Sequence, residues 1–202
     1  MTQSVGGIVL CGGKSSRMGR PKLSLPFGSE LLLPRVVRIL REVVSPIVVV
    51  AAPEQLVPPL PSNVLIVRDE QEYLGPLAGM EAGLRVLADT VDVAFVSACD
   101  VPLLRPEFIS EMIRRLGSHE LAVPREGDFH HPLAAVYRTS LANRVHQLVV
   151  AQQLRPLFLI QQSDSVEVPV DELRGVDPHL QSLRNVNGPE DYDAVLQLAG
   201  LA

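Results

Sequence analysis

From Val5 to Leu116 the chain alternates short, nearly unbroken apolar runs with stretches of helical period, and nothing else in it restricts the fold so much. Val5–Cys11, Pro46–Ala52, Asn63–Val67 and Val91–Ala98 read as strands. Between them, Leu31–Val44, Pro76–Ala88 and Pro106–Leu116 read as helices. In Leu31–Val44 the apolar residues fall at Val36, Val37, Leu40, Val43 and Val44, and Pro34 sits in the first turn, where its missing N–H costs no hydrogen bond. Strand and helix in turn imply right-handed crossovers and a parallel sheet. Strands without polar alternation imply helices on both faces. The second half is less regular. Leu121–Pro124, Pro132–Tyr137 and Val166–Val170 read as strands, and Leu141–Gln153, Arg155–Gln162 and Pro189–Leu198 as helices. The expected architecture is a single α/β domain over residues 1–202, Rossmann-like, with a mostly parallel twisted sheet covered on both faces. A chain of 202 residues can bury about 70% of its unfolded surface in one core.

Composition removes several classes of function. The net charge is −5, so broad binding to nucleic acid or an anionic membrane is not expected, and an anionic ligand must meet local cations. No apolar run approaches a membrane span, and no basic leader precedes Val5, so a cytoplasmic location is expected. The two cysteines, Cys11 and Cys99, have no zinc-like spacing and make no disulfide framework. Small-residue packing is the expectation for both.

The chemistry is expected just beyond the strand ends, because open α/β sheets bind ligands outside their carboxyl edges. The first strand runs into Leu10-Cys11-Gly12-Gly13, with Arg17 and Lys22 following. A glycine-rich loop presents backbone N–H groups to an anion, and two nearby cations add charge. The spacing is neither GxxxxGK[ST] nor GxGxxG. Asp69 and Asp100 stand at two further strand ends, where carboxylates suit a Mg²⁺–nucleotide. The alternatives are that Asp100 is a turn residue before Pro102 and Gly12-Gly13 a tight turn; position at the carboxyl ends of the strands favours the ligand reading of both. Gly75, Gly79 and Gly83 are spaced as one helical stripe, which fits either close packing on the sheet or close approach of a flat ligand. His130-His131 precede a strand and would point to opposite faces, which argues against joint metal ligation and leaves His131 as an anion or substrate contact. Asn187, in Asn185-Val186-Asn187, could cap the last helix or offer an amide oxygen to a metal.

Taken in order, Leu10-Cys11-Gly12-Gly13-x-x-x-Arg17-Met18-Gly19-x-x-Lys22, Gly75-Pro76-Leu77-Ala78-Gly79-Met80, Cys99-Asp100-Val101-Pro102, His131-Pro132 and Asn185-Val186-Asn187-x-Pro189-Glu190-Asp191 resemble the MobA-type molybdenum cofactor guanylyltransferases over nearly the whole chain. The resemblance implies transfer of GMP from GTP to the phosphate of Mo-molybdopterin, with release of pyrophosphate. It implies a nucleotide half over about 1–116 and a cofactor-substrate half over 117–202. Leu10, Cys11, Gly12 and Gly13 would contact the nucleotide, with Asp69; Arg17 and Lys22 would hold the triphosphate. Lys22, Arg17 and Asp100 would be catalytic; Asp100 and Asn187 would hold Mg²⁺; Gly79, His131 and Asn185 would face the pterin. Cofactor-insertion enzymes and chaperones would be partners. Three positions depart from the family pattern: Cys11 stands for a usual alanine, Ala51 for an asparagine of some members, and Gly188 for a common threonine. Rival readings are a cytidylyltransferase on the same cofactor, another nucleotidylyltransferase, and a delivery protein that binds without catalysis.

Overall fold

A computed structural model describes residues 4–12, 18–69 and 75–201. Among these, ten strands and six α-helices follow in the order β1 (Val5–Leu10), β2 (Pro26–Phe27), β3 (Glu30–Leu31), α1 (Leu32–Leu40), β4 (Ile47–Ala51), β5 (Val64–Arg68), α2 (Pro76–Leu87), β6 (Val93–Ala98), α3 (Pro106–Leu116), β7 (Leu121–Glu126), β8 (Phe129–His130), β9 (Ala134–Arg138), α4 (Ala142–Val150), α5 (Pro156–Gln161), β10 (Ser165–Pro169) and α6 (Pro189–Leu198). The main sheet runs β10-β7-β9-β6-β1-β4-β5, with β8 added to β7. β1 pairs in parallel with β4 and β6, and β4 with β5. The expected parallel half is therefore present. β9 is antiparallel to both β6 and β7, while β10 is parallel to β7.

The two sheet faces carry separate cores. Odd residues of β1, with Phe95 of β6, pack under α1 and α3 through Val36, Val37, Phe108 and Met112. Even residues of β1 pack under α2, α4 and α5 through Leu77, Met80, Val145 and Leu159. All six residues of β6 are buried, as a strand covered on both sides requires. A third, smaller cluster joins the β2–β3 hairpin to α6, where the Tyr192 hydroxyl donates to the Pro26 carbonyl.

Several boundaries differ from the sequence expectation. α1 stops at Leu40 although Val43 and Val44 continue the apolar pattern. Beyond Leu40 the chain continues in turns, with the Val43 and Val44 N–H groups both donating to the Leu40 carbonyl. The hairpin of β2 and β3 was not expected; its strands are too short to show a period. Pro132 lies in the turn before β9, not in it. Among the described residues no helix is long and apolar enough to cross a membrane.

Candidate active site

From β1 the sheet grows outward through β4 to β5, then switches to the other side of β1 with β6. The switch point lies between β1 and β6, where splayed connections leave a crevice. A cavity of about 460 Å³ opens there, at the carboxyl ends of the strands. Leu10, Cys11, Gly12, Asp69 and Asp100 all line it, as the strand-end argument expected. Gly13 and Arg17 lie outside the described residues.

Four polar side chains converge at the cavity's rim. Lys22 opens a short 3₁₀ turn anchored by buried Leu23, and its Nζ donates to Asp100 Oδ2 at 2.8 Å. The other carboxylate oxygen of Asp100 accepts from Asn185 Nδ2 at 2.9 Å. Lys22 Nζ also lies 3.5 Å from Asn187 Oδ1. The backbone holds this set together: the Asp100 carbonyl accepts the Val186 N–H at 2.9 Å, clamping the Asn185–Asn187 segment against the end of β6. Asp100 is therefore more than a turn residue. Asn187 is not the cap of α6, which starts after Gly188. Instead the Asp191 carboxylate accepts the N–H groups of Asn187 and Gly188, satisfying the helix entry and leaving the Asn187 amide to face Lys22.

Among the described residues no three His, Cys, Asp or Glu side chains gather as a metal cluster. Yet Asp100 Oδ2 and Asn187 Oδ1 are both directed at one cationic point, the Lys22 ammonium. Two oxygens of this type, one charged, fit a hard divalent cation that takes its other ligands from phosphate and water.

The loop after β1 is held by its neighbours. Cys11 N–H donates to the Val50 carbonyl at 2.8 Å, and the Cys11 carbonyl accepts from Gln55 Nε2 at 3.0 Å. Gln55 Oε1 accepts in turn from Ala52 N–H at 3.1 Å, so one amide ties the ends of β1 and β4 together. Sequence reasoning passed over Gln55, since a glutamine in a surface connection carries no motif. Asp69 N–H donates to the Ala51 carbonyl, which brings Asp69 beside the same loop.

The glycine stripe divides into three roles. Gly75 caps α2 at φ +82, a left-handed conformation that favours glycine, and so stands before the helix instead of within it. A Cβ on Gly83 would meet Ile8 Cγ2 at 2.7 Å, so that glycine lets α2 press on β1. A Cβ on Gly79 would meet Leu10 Cδ2 at 3.3 Å, and Gly79 also lines the cavity. Packing explains Gly83; packing and ligand approach both bear on Gly79.

His131 falls in a second cavity of about 240 Å³, which shares Pro76, Leu133 and Asn185 with the first. Its imidazole meets Phe129 edge to face at 4.9 Å. Burial pushes its pKa below the usual histidine value, with Glu126 only partly opposing. Burial thus disfavours the charged imidazolium, which suits the side chain to a hydrogen bond more than to holding an anion by charge. Cys11 and Cys99 are both buried and close to one another. Hydrogen bonding to Cys11, then burial, pushes the Cys99 thiol well up.

A doubly covered, mostly parallel sheet, with a cation and oxygen donors gathered at its switch point beside a glycine loop, defines a nucleotide-handling transferase. The chain belongs to the family described as the MobA-like NTP transferase domain, whose model matches residues 7–166. It is 40% identical over 201 residues to a protein of Mycobacterium tuberculosis named probable molybdenum cofactor guanylyltransferase, covering 97% of this chain and 95% of that one. A protein of the same name from Mycobacterium avium is 38% identical, with 97% of each chain covered. Among solved structures, molybdopterin-guanine dinucleotide biosynthesis protein A from Archaeoglobus fulgidus superposes with a TM-score of 0.80 at 22% identity, over 98% of this chain and all of that one. That likeness shows the shared fold.

Proposed function

We propose that this protein transfers GMP from GTP to the phosphate of Mo-molybdopterin, releasing pyrophosphate. The observation that carries the reading is the meeting of Lys22, Asp100 and Asn187 at the switch-point cavity. The names of the 40%- and 38%-identical relatives support the guanylyl and molybdenum parts of it. In this reaction an acceptor phosphate oxygen forms a bond to the α-phosphorus of GTP, and the bond from that phosphorus to its bridging oxygen breaks. No protein nucleophile is needed; positioning and charge supply the catalysis.

In this reading the backbone of Leu10, Cys11 and Gly12, with Gly13, receives the nucleoside, and Asp69 contacts it at the next strand end. Lys22 meets the charge that builds on the α-phosphoryl group, and Arg17 the outer phosphates. Asp100 and Asn187 would hold Mg²⁺, which when bound supplies charge to the departing pyrophosphate. Asn185 orients Asp100 through its 2.9 Å hydrogen bond and stands where the two cavities join. Gly79 and His131 face the acceptor. Residues 1–116 would thus serve the nucleotide and 117–202 the cofactor substrate, with insertion enzymes or chaperones receiving the product.

The test is incubation of the protein with Mg²⁺, molybdopterin carrying molybdenum, and each of the four nucleoside triphosphates, labelled at the α-phosphate. Label transfer and pyrophosphate release with GTP are expected. Transfer from CTP in preference to GTP would replace the guanylyl reading with a cytidylyl one, and binding without transfer would leave a delivery protein.

A further inference from the structure

Cys11 and Cys99 are the two cysteines of the chain, and the fold brings them together. β1 and β6 pair in parallel with Leu10 opposite Ala98, so Cys11 and Cys99 are the next pair beyond the ladder. The alternation that turns Leu10 toward α2 turns both cysteines to the other face, where they share the core under α1 and α3. Cys99 N–H donates to the Leu10 carbonyl at 3.1 Å, which keeps the two strands at sheet spacing up to this point. Neighbouring strands lie about 4.8 Å apart, inside the window of about 4.4–6.8 Å between Cα atoms that a disulfide spans. Both side chains are buried in one core cluster, and both residues line the switch-point cavity. Neither thiol takes part in the transfer reaction derived above, in which Cys11 acts through its backbone alone.

We propose that Cys11 and Cys99 form a reversible modification site: a dithiol that hydrogen peroxide closes to a disulfide, locking the rim of the nucleotide cavity. The step balances with one peroxide per pair. One thiol sulfur takes an oxygen as the O–O bond breaks and water leaves. The second sulfur then attacks the first, the S–S bond forms, and the oxygen departs as a second water after taking up the second thiol's proton. A dithiol reductant reverses it. The bond fixes the residues just before Gly12 and Asp100 to one another, so it restrains both the loop that receives the nucleoside and the carboxylate paired with Lys22. This consequence rests on the proposed nucleotide site; the disulfide itself does not.

The experiment treats the full-length protein with hydrogen peroxide and reads two things separately. Intact mass and alkylation after denaturation read the thiols; titration with a fluorescent GTP analogue and Mg²⁺ reads the cavity. Expected are the loss of two hydrogens, protection of both cysteines from alkylation, a fall in nucleotide affinity of about tenfold or more, and recovery of both by dithiothreitol. In Cys11→Ala and Cys99→Ala, each compared with its own untreated form, peroxide is expected to leave nucleotide affinity unchanged. Addition of oxygen atoms without loss of hydrogens, or two thiols still open to alkylation, overturns the disulfide. A disulfide that forms while affinity stays constant overturns the switch. Reduced protein that binds no triphosphate would instead sink the nucleotide reading, while the mass and alkylation counts still decide the disulfide.

Discussion

Gly83→Ala measures how closely α2 is pressed on the sheet. The added Cβ would lie 2.7, 2.9 and 3.1 Å from Cγ2, Cδ1 and Cγ1 of Ile8, a fully buried residue of the central strand. Carbon atoms prefer about 3.5–4.0 Å, so all three contacts are repulsive. A β-branched side chain has little χ1 freedom to yield, and β1 is fixed by pairing on both sides. Overpacking costs about 1–3 kcal/mol, with two contacts under 3.0 Å placing this case at about 2–3 kcal/mol, and alanine's better helix propensity returns about 1 kcal/mol. The expected balance is a loss of about 1–2 kcal/mol, or about 2–8 °C in melting temperature for a chain of this size. Urea and thermal unfolding read it directly. Adding Ile8→Val removes one offending carbon and should recover part of the loss relative to Ile8→Val alone. Gly79→Ala is the control: its Cβ would meet the flexible end of Leu10 at 3.3 Å and Val50 Cγ1 at an ordinary 3.6 Å, so stability should change by less than about 1 kcal/mol while affinity for the molybdopterin acceptor falls. A Gly83→Ala protein as stable as its parent, or more so, would refute the packing account of that glycine.

Lys22→Ala should lower single-turnover transfer by about 10²–10³-fold while GTP affinity drops far less; collapse of affinity with intact chemistry would make Lys22 a binding residue only. Gln55→Ala removes the amide that joins the Cys11 carbonyl to Ala52 N–H, and should weaken Mg²⁺–GTP binding several-fold with little change in melting temperature; an unaltered dissociation constant would deny that Gln55 positions the loop. The Arg114 hydrogen bond to Glu111, aided by Arg115, holds that carboxyl down at about 2 against an ordinary 4.5. A depressed carboxyl stabilises the fold above its unfolded value and loses that effect as pH falls through the folded one. The melting-temperature gap between the parent and Glu111→Gln should therefore be full at pH 7 and shrink between about pH 4.5 and 2; a gap constant across that window would show the charge is not responsible.

Strand ends were legible in the sequence because a buried parallel strand writes itself as an apolar run that stops abruptly. Leu10, Asp69 and Asp100 could be placed in one crevice from that rule alone. Strand direction was not legible, since β9 buries the same residue types whichever way it runs. Asn187 was ambiguous because a helix entry and an oxygen donor use the same residue, and only the Asp191 carboxylate, taking up the entry N–H groups, resolves it. Gln55 carried no signal, because its role depends on the carbonyl of a residue far away in the chain. That Cys11 and Cys99 stand at strand ends beside one crevice was legible, but not that they are direct neighbours: strands adjacent in the sheet are remote in sequence, and register alone pairs their ends.

The reversed direction of β9 has a consequence for how such an enzyme can diversify. A parallel strand can offer only the loop that follows it to the crevice. β9 starts at Ala134, opposite Ser97 near the end of β6, so it offers the loop that precedes it. Leu133 consequently lines both cavities, and His131 and Pro132 line the second. That loop hangs between β8 and β9, away from the crossovers that position Lys22 and Asp100. Apart from Leu133, it can lengthen, shorten or change residue without disturbing the nucleotide side. One inverted strand therefore separates the inheritance of the acceptor pocket from that of the triphosphate site, and lets one substrate be exchanged while the other is kept.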